Sequence, residues 1–170
     1  MQEHLIIDGN NAMHAIPQIS KEMLRDRNLA RDSFLRMIEP LTADGFRLTV
    51  VFDGRSGKGV LEKYSHADCF DIYFSSSKEG ADGVIERMVM AAKYPSIICV
   101  VTNDNLIRNC AYQNGATAMR VEEMMKKLDY SIDQVLRRSK QIKGAKQKNQ
   151  EPFFNRIEFP NKNGLDFQNE

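Results

Sequence analysis

At 170 residues the chain suits one α/β domain with its own core, plus a tail. A formal net charge of +1 gives no global pull on polyanions, so any contact with nucleic acid has to be local. No apolar run approaches the roughly 18 residues a bilayer span needs, and the N-terminus lacks a charged-then-apolar leader pattern, so a cytoplasmic protein without membrane contact is expected.

The first predicted strand covers about His4 to Ile7 and ends in the turn-forming cluster Asp8-Gly9-Asn10-Asn11. After a loop around Pro17, helical spacing runs through Leu29, Ala30, Ser33, Phe34, Met37, Ile38 and Leu41, with Pro40 kinking or ending the helix. Gly45 leads into a second strand, Arg47 to Phe52, closed by Asp53-Gly54. A third strand spans about Phe70 to Ser75. Ala81, Val84, Ile85, Met88, Val89 and Ala92 then form the stripe of an amphipathic helix.

Past Pro95 comes a fourth strand, Ile97 to Thr102, and a helix through Leu106, Ile107 and Cys110 that ends near Gly115. Ala118 to Val121 reads as a short fifth strand, and Ser131-x-x-Gln134 as a capping box opening a last helix. The expected domain is residues 1–135. Residues 136–170 hold a basic helix end, Arg137 to Lys148, and a tail that either stays disordered or folds back through Phe153, Phe154 and Phe159. Alternating strands and helices imply a doubly wound, mainly parallel sheet.

Four aspartates share one topological position. Asp8, Asp53, Asp82 and Asp104 each follow an apolar strand run or open the helix after one, so all four belong at the carboxyl edge of the sheet, where ligands of open α/β sheets bind. Singly, each has a plain structural role: turn residue for Asp8 and Asp53, helix cap for Asp104, first-turn acid for Asp82. Jointly they are costly. Two unit charges roughly 5 Å apart repel by about 3 kcal/mol at an effective dielectric near 20, and a hard cation such as Mg²⁺ or Mn²⁺ removes that penalty. Glu86 lies one helical turn after Asp82 on the same face. Arg55, Lys58, Lys78 and Arg108 flank the acids and are candidate phosphate contacts, each otherwise a solvated charge. Cys69, Cys99 and Cys110 have no metal-type spacing and read as reduced, buried thiols; scattered His4, His14 and His66 offer no zinc site.

The ordered set Ile6-Ile7-Asp8-Gly9-Asn10-Asn11, Val50-Val51-Phe52-Asp53-Gly54, Glu79-Gly80-Ala81-Asp82 with Ile85-Glu86, and Val100-Val101-Thr102-Asn103-Asp104 resembles the YacP-like NYN domain group of PIN-like nucleases over about residues 4 to 125. The resemblance implies a three-layer PIN-like α/β/α sandwich and metal-dependent endonucleolytic cleavage of RNA. It makes Asp8, Asp82 and Asp104 the catalytic, metal-binding acids, with Asp53 a fourth acid of the metal site. Asn11 occupies the family's Asn position. Asn11, Glu86 and Thr102 are expected to orient the metal shell or position water and substrate. Mg²⁺ or Mn²⁺ is the implied cofactor, RNA (mRNA in particular) the implied partner, and the ribosome a further partner implied only by this resemblance. Asn10 stands where an aromatic is frequent in the group, and Asn103 where Ser is frequent.

Two other classes compete. A non-catalytic RNA- or ribosome-binding module on the same fold would gain nothing from an acidic cleft. A phosphatase of the haloacid dehalogenase type would need a second aspartate two residues after Asp8, where Asn10 stands, and no Gly-rich phosphate loop is present.

Overall fold

The computed structural model describes residues 2–54, 57–64 and 69–133. Arg55, Gln134, the basic run 137–148 and the phenylalanines of the tail lie outside these residues.

The strands form one sheet because their apolar runs are buried on both faces, as parallel strands flanked by helices require. In chain order they are β1 (His4–Asp8), β2 (Arg47–Phe52), β3 (Val60–Lys63), β4 (Phe70–Phe74), β5 (Ile98–Val101) and β6 (Thr117–Met119). Their spatial order is β3-β4-β2-β1-β5-β6, parallel throughout except for the β3–β4 pair. Leu5, Ile7, Leu48, Val50 and Phe70 face one core with α1 (Gly9–Ala15), α2 (Pro17–Met23), α3 (Arg27–Ile38) and the helical residues 121–133. Ile6, Val51, Ile98 and Val100 face a second core with α4 (Gly80–Met90) and α5 (Asn105–Gln113). This is the expected α/β/α sandwich.

Several local expectations change. Residues 9–23 are two helices rather than a turn and a loop: Asp8 caps α1, its carboxylate accepting the Asn11 amide at 3.1 Å, and Pro17 opens α2, where its missing N–H costs nothing. Pro40 does end α3, but the chain continues as a 3₁₀ segment, Glu39–Asp44, that stops at left-handed Gly45. Strand β3 was not anticipated; all four of its residues are exposed, so it carries no alternation to detect. Ser131 lies inside a helix instead of opening one, its hydroxyl against the Lys127 carbonyl and the Asp44 carboxylate. Of the thiols, Cys99 is buried while Cys69 and Cys110 are partly exposed, and all three are free.

Candidate active site

Parallel pairing aligns Ile7 of β1 with Val101 of β5, so the next residues, Asp8 and Thr102, emerge side by side. Here the connections diverge, β1 leading toward β2 on one side and β5 toward β6 on the other, the crevice where doubly wound sheets place their ligands. Asp8 is 5% exposed. Its Oδ1 accepts the Asn11 amide and its Oδ2 the hydroxyl of fully buried Thr102 at 3.2 Å. The Thr102 oxygen in turn accepts the Asp104 amide at 3.1 Å, and Asp104 caps α5 by accepting the Leu106 amide at 2.7 Å. One hydroxyl therefore links two of the acids.

Among the described residues, no side-chain cation pairs with Asp8. Burial pushes its carboxyl up to about 6, the Asp82 and Asp53 carboxylates push the same way, and the Asn11 amide and Thr102 hydroxyl oppose them. Asp82, at the exposed start of α4, is also raised, first by partial desolvation and then by Asp104, Asp53 and Glu86. The acids from β1, β2, α4 and the β5–α5 junction thus share one electrostatic neighbourhood.

Asp53 has a second task. Helix α4 has no side-chain cap of its own, and Asp53 supplies one from β2, its Oδ1 accepting the Ala81 amide at 2.8 Å. Its Oδ2 accepts from Asn10 Nδ2 at 2.5 Å. Gly80 takes the left-handed conformation, φ 70°, that lets α4 start under this carboxylate. Gly54 is required by close approach: a Cβ there would sit 2.0 Å from the Ser75 carbonyl oxygen. Asn11 is a tie across the site, its Oδ1 accepting the Asn103 amide at 2.8 Å. Asn103 continues the network, accepting from the Val121 amide at 3.0 Å and donating to Glu122 at 3.1 Å.

Among the described residues, no three His, Cys, Asp or Glu side chains converge into a ready-made metal shell. The donors fit a hard ion that keeps much of its water and takes one or two carboxylates directly, which is the habit of Mg²⁺. Asp8, Asp82 and Asp104 are the acids that hydrogen bonds and charge tie together there. Asp53 spans two elements, accepting from Asn10 of α1 and from Ala81 of α4, which suits an acid that positions its neighbours.

The predicted basic contacts separate. Lys58 and Lys78 are exposed on the β2–β3 and β4–α4 connections. Arg108 donates to Asn105 on its own helix and helps to lower the Glu122 carboxyl, after that group's hydrogen bonds. Sequence reading marked Asn10 and Asn103 only as departures from the family pattern and passed over Arg27. Arg27 donates to Asn10 Oδ1 at 3.2 Å, and no spacing rule connects residues 10, 27 and 53.

Comparison with known proteins agrees with the fold. The chain is similar in fold to two crystal structures of Rae1 (YacP) from Bacillus subtilis. One, of a point mutant, is 23% identical with a TM-score of 0.66, covering 83% of each chain. The other is 25% identical with a TM-score of 0.63, covering 86% of this chain and 84% of that one. No curated relative matches by sequence. The model of the YacP-like NYN domain matches residues 5–160. That span takes in every acid at the carboxyl edge of the sheet, and the chain belongs to the YacP-like NYN domain family, a family of PIN-like nucleases.

Proposed function

We propose that the protein is a metal-dependent endoribonuclease that hydrolyses RNA phosphodiester bonds, with mRNA as its substrate and Mg²⁺ or Mn²⁺ as its cofactor. The observation that carries this reading is Asp8: a carboxylate buried at the sheet's switch point, surrounded by further acids and held by neutral donors. Such an arrangement costs stability unless a cation completes it. The nuclease family membership supplies the reaction class. Cleavage on the ribosome is supported by the family resemblance alone.

In this reading Asp8, Asp82 and Asp104 hold the ion, and Glu86 adds negative potential at Asp82. A bound divalent ion lowers the pKa of its water and offsets charge on a phosphodiester oxygen. Thr102 fixes the Asp8 carboxylate and the Asp104 amide relative to one another, and Asn11 holds the β5–α5 junction against α1. Asp53 holds the start of α4, and therefore Asp82, in place. Lys58 and Lys78, both exposed, would contact the phosphates of a strand crossing this edge; Arg55 belongs to the same connection as Lys58 in sequence.

The test is cleavage of an end-labelled single-stranded RNA with Mn²⁺, with Mg²⁺ and with EDTA, by wild type and by Asp8→Asn/Asp104→Asn, and then the same comparison on translating ribosomes. Internal cuts that need the metal and vanish in the double variant are expected. Intact RNA in both settings, with RNA binding undiminished by EDTA, would replace the nuclease with a binding module.

A further inference from the structure

Beside the acidic crevice, on the α3 side of the sheet, lies a cavity of about 690 Å³. It touches the acids through Asp53 and Asn10, both of which line it. Its size is within the 300–1,000 Å³ typical of small-ligand pockets, enough for one or two nucleotides.

Three features of its lining point to a ligand with a flat ring and a phosphate. The first is aromatic: the Phe52 and Phe74 rings stack with centroids 5.8 Å apart and planes inclined by 24°. The second is a guanidinium over one of those rings, the Arg31 Cζ lying 5.3 Å from the Phe74 centroid. A planar guanidinium on a ring still has a second face for another planar group. The third is Arg27, one helical turn before Arg31 on α3 and exposed, which donates to Asn10. Neither arginine has a carboxylate partner among the described residues, where the ion pairs are Arg47–Asp71 and Arg87–Glu79.

The acids of the lining are mostly committed elsewhere. Asp26 caps α3 through the Asn28 and Leu29 amides, and Asp53 receives Asn10 and Ala81. Glu62 on β3 accepts no hydrogen bond among the described residues, which disfavours a phosphate at that wall and leaves it to a base.

We infer that this cavity is a nucleotide subsite for the single-stranded RNA next to the scissile bond, the base stacking on Arg31 over Phe74 and the phosphate meeting Arg27. The inference rests on the nuclease reading for the identity of the strand, and it adds the direction the strand takes: from the acids, past Asp53 and Asn10, toward α3. Stacking on aromatic and guanidinium planes accepts any base, so the subsite grips a strand without reading its sequence.

The experiment measures binding of a fluorescent single-stranded RNA octamer in EDTA to the full-length chain carrying Asp104→Asn, so that no cleavage intervenes. Arg31→Ala is expected to weaken binding about tenfold, the loss of one stacked base. Arg27→Ala is expected to weaken it about threefold and to lower the salt slope by about one. Arg31→Lys, which keeps charge and stem but not the plane, is expected to keep the parent's salt slope without its affinity. Lys93→Ala, beyond the opposite end of α4, is the reference, and melting temperatures confirm that each variant is folded. Arginine variants that bind within twofold of Lys93→Ala would overturn the subsite, even if the wild-type chain cleaves RNA. Arg31-dependent binding by a chain that never cleaves would remove the nuclease and keep the subsite.

Discussion

The two ends of the sheet treat buried charge in opposite ways. At the amino edge, Asp71 of β4 is buried but meets the Arg47 guanidinium at 2.7 Å. His4 of β1 is hydrogen-bonded to Thr49 at 2.8 Å and kept neutral, its pKa lowered to about 4 by burial and by Arg47, with Asp71 opposing. At the carboxyl edge, Asp8 of that same β1 is equally buried, yet among the described residues an amide and a hydroxyl are its hydrogen-bond donors and the charges acting on it are the acids Asp82 and Asp53. The amino edge is finished as a fold. The carboxyl edge is stable only to the extent that the rest of the domain supports it, which is how functional sites differ from structural ones.

The largest effect that tests this contrast is on activity. Asp8→Asn/Asp104→Asn is expected to lower metal-dependent cleavage by about 10³-fold or more, since an ion held there supplies several kcal/mol of charge stabilisation. Arg47→Ala, at the other edge, is expected to leave the cleavage rate per folded molecule within about twofold, because it touches nothing at the carboxyl edge. Comparable losses from both variants, measured at matched folded fraction, would erase the distinction.

Stability should move the other way. Asp8 binds its proton more tightly folded than unfolded, so in EDTA its contribution is intact below its ordinary pKa of 3.8 and is lost as pH rises through about 6. His4 does the reverse. Its folded pKa is depressed, so its contribution is intact above 6.5 and is lost as pH falls toward 4. The two edges therefore offset one another between about pH 4 and 6. Asp8→Asn is expected to stabilise the metal-free protein at pH 7.5 by on the order of 2–3 kcal/mol and to leave a stability that rises with pH. His4→Gln should leave one that falls. Urea titrations across this range read both slopes, and Mg²⁺ should stabilise wild type while leaving Asp8→Asn nearly unmoved. Arg47→Ala should cost about 2 kcal/mol at pH 7.5; the pair sits at the surface on the arginine side, which trims the usual penalty for an orphaned buried acid.

What sequence could reveal follows the same division. The sheet was legible because β1, β2, β4 and β5 are apolar runs closed by turn residues, and the acids were legible because each stands directly after such a run or at the helix start beyond it. Helices α1 and α2 were not, since Asp8-Gly9-Asn10-Asn11 is as good a turn as a helix start, and only the Asn11 amide on the Asp8 carboxylate separates them. The double role of Asp53 was hidden for a different reason: it caps a helix 28 residues away, a contact that exists only after β2 and α4 have docked. Nothing in the sequence singles out Arg27 or Arg31 for the same cause, their partners Asn10 and Phe74 being brought to α3 by the sheet.

The smallest predicted effect isolates the one group that joins the two acids. Thr102 is fully buried, donates to Asp8 and accepts from the Asp104 amide, so its hydroxyl stands in the place a cation takes at the amino edge. Thr102→Val keeps shape and removes both bonds, and should cost about 1 kcal/mol of stability. Its more telling consequence is electrostatic. The hydroxyl lowers the Asp8 carboxyl, so its removal should move the Asp8 titration, followed by carboxyl-carbon NMR in EDTA, further above 6, while Thr102→Ser should restore it. A Val variant that titrates as wild type would mean that burial and neighbouring acids alone set the charge of Asp8. Thr102 would then be a spacer between two strands rather than the link between two acids.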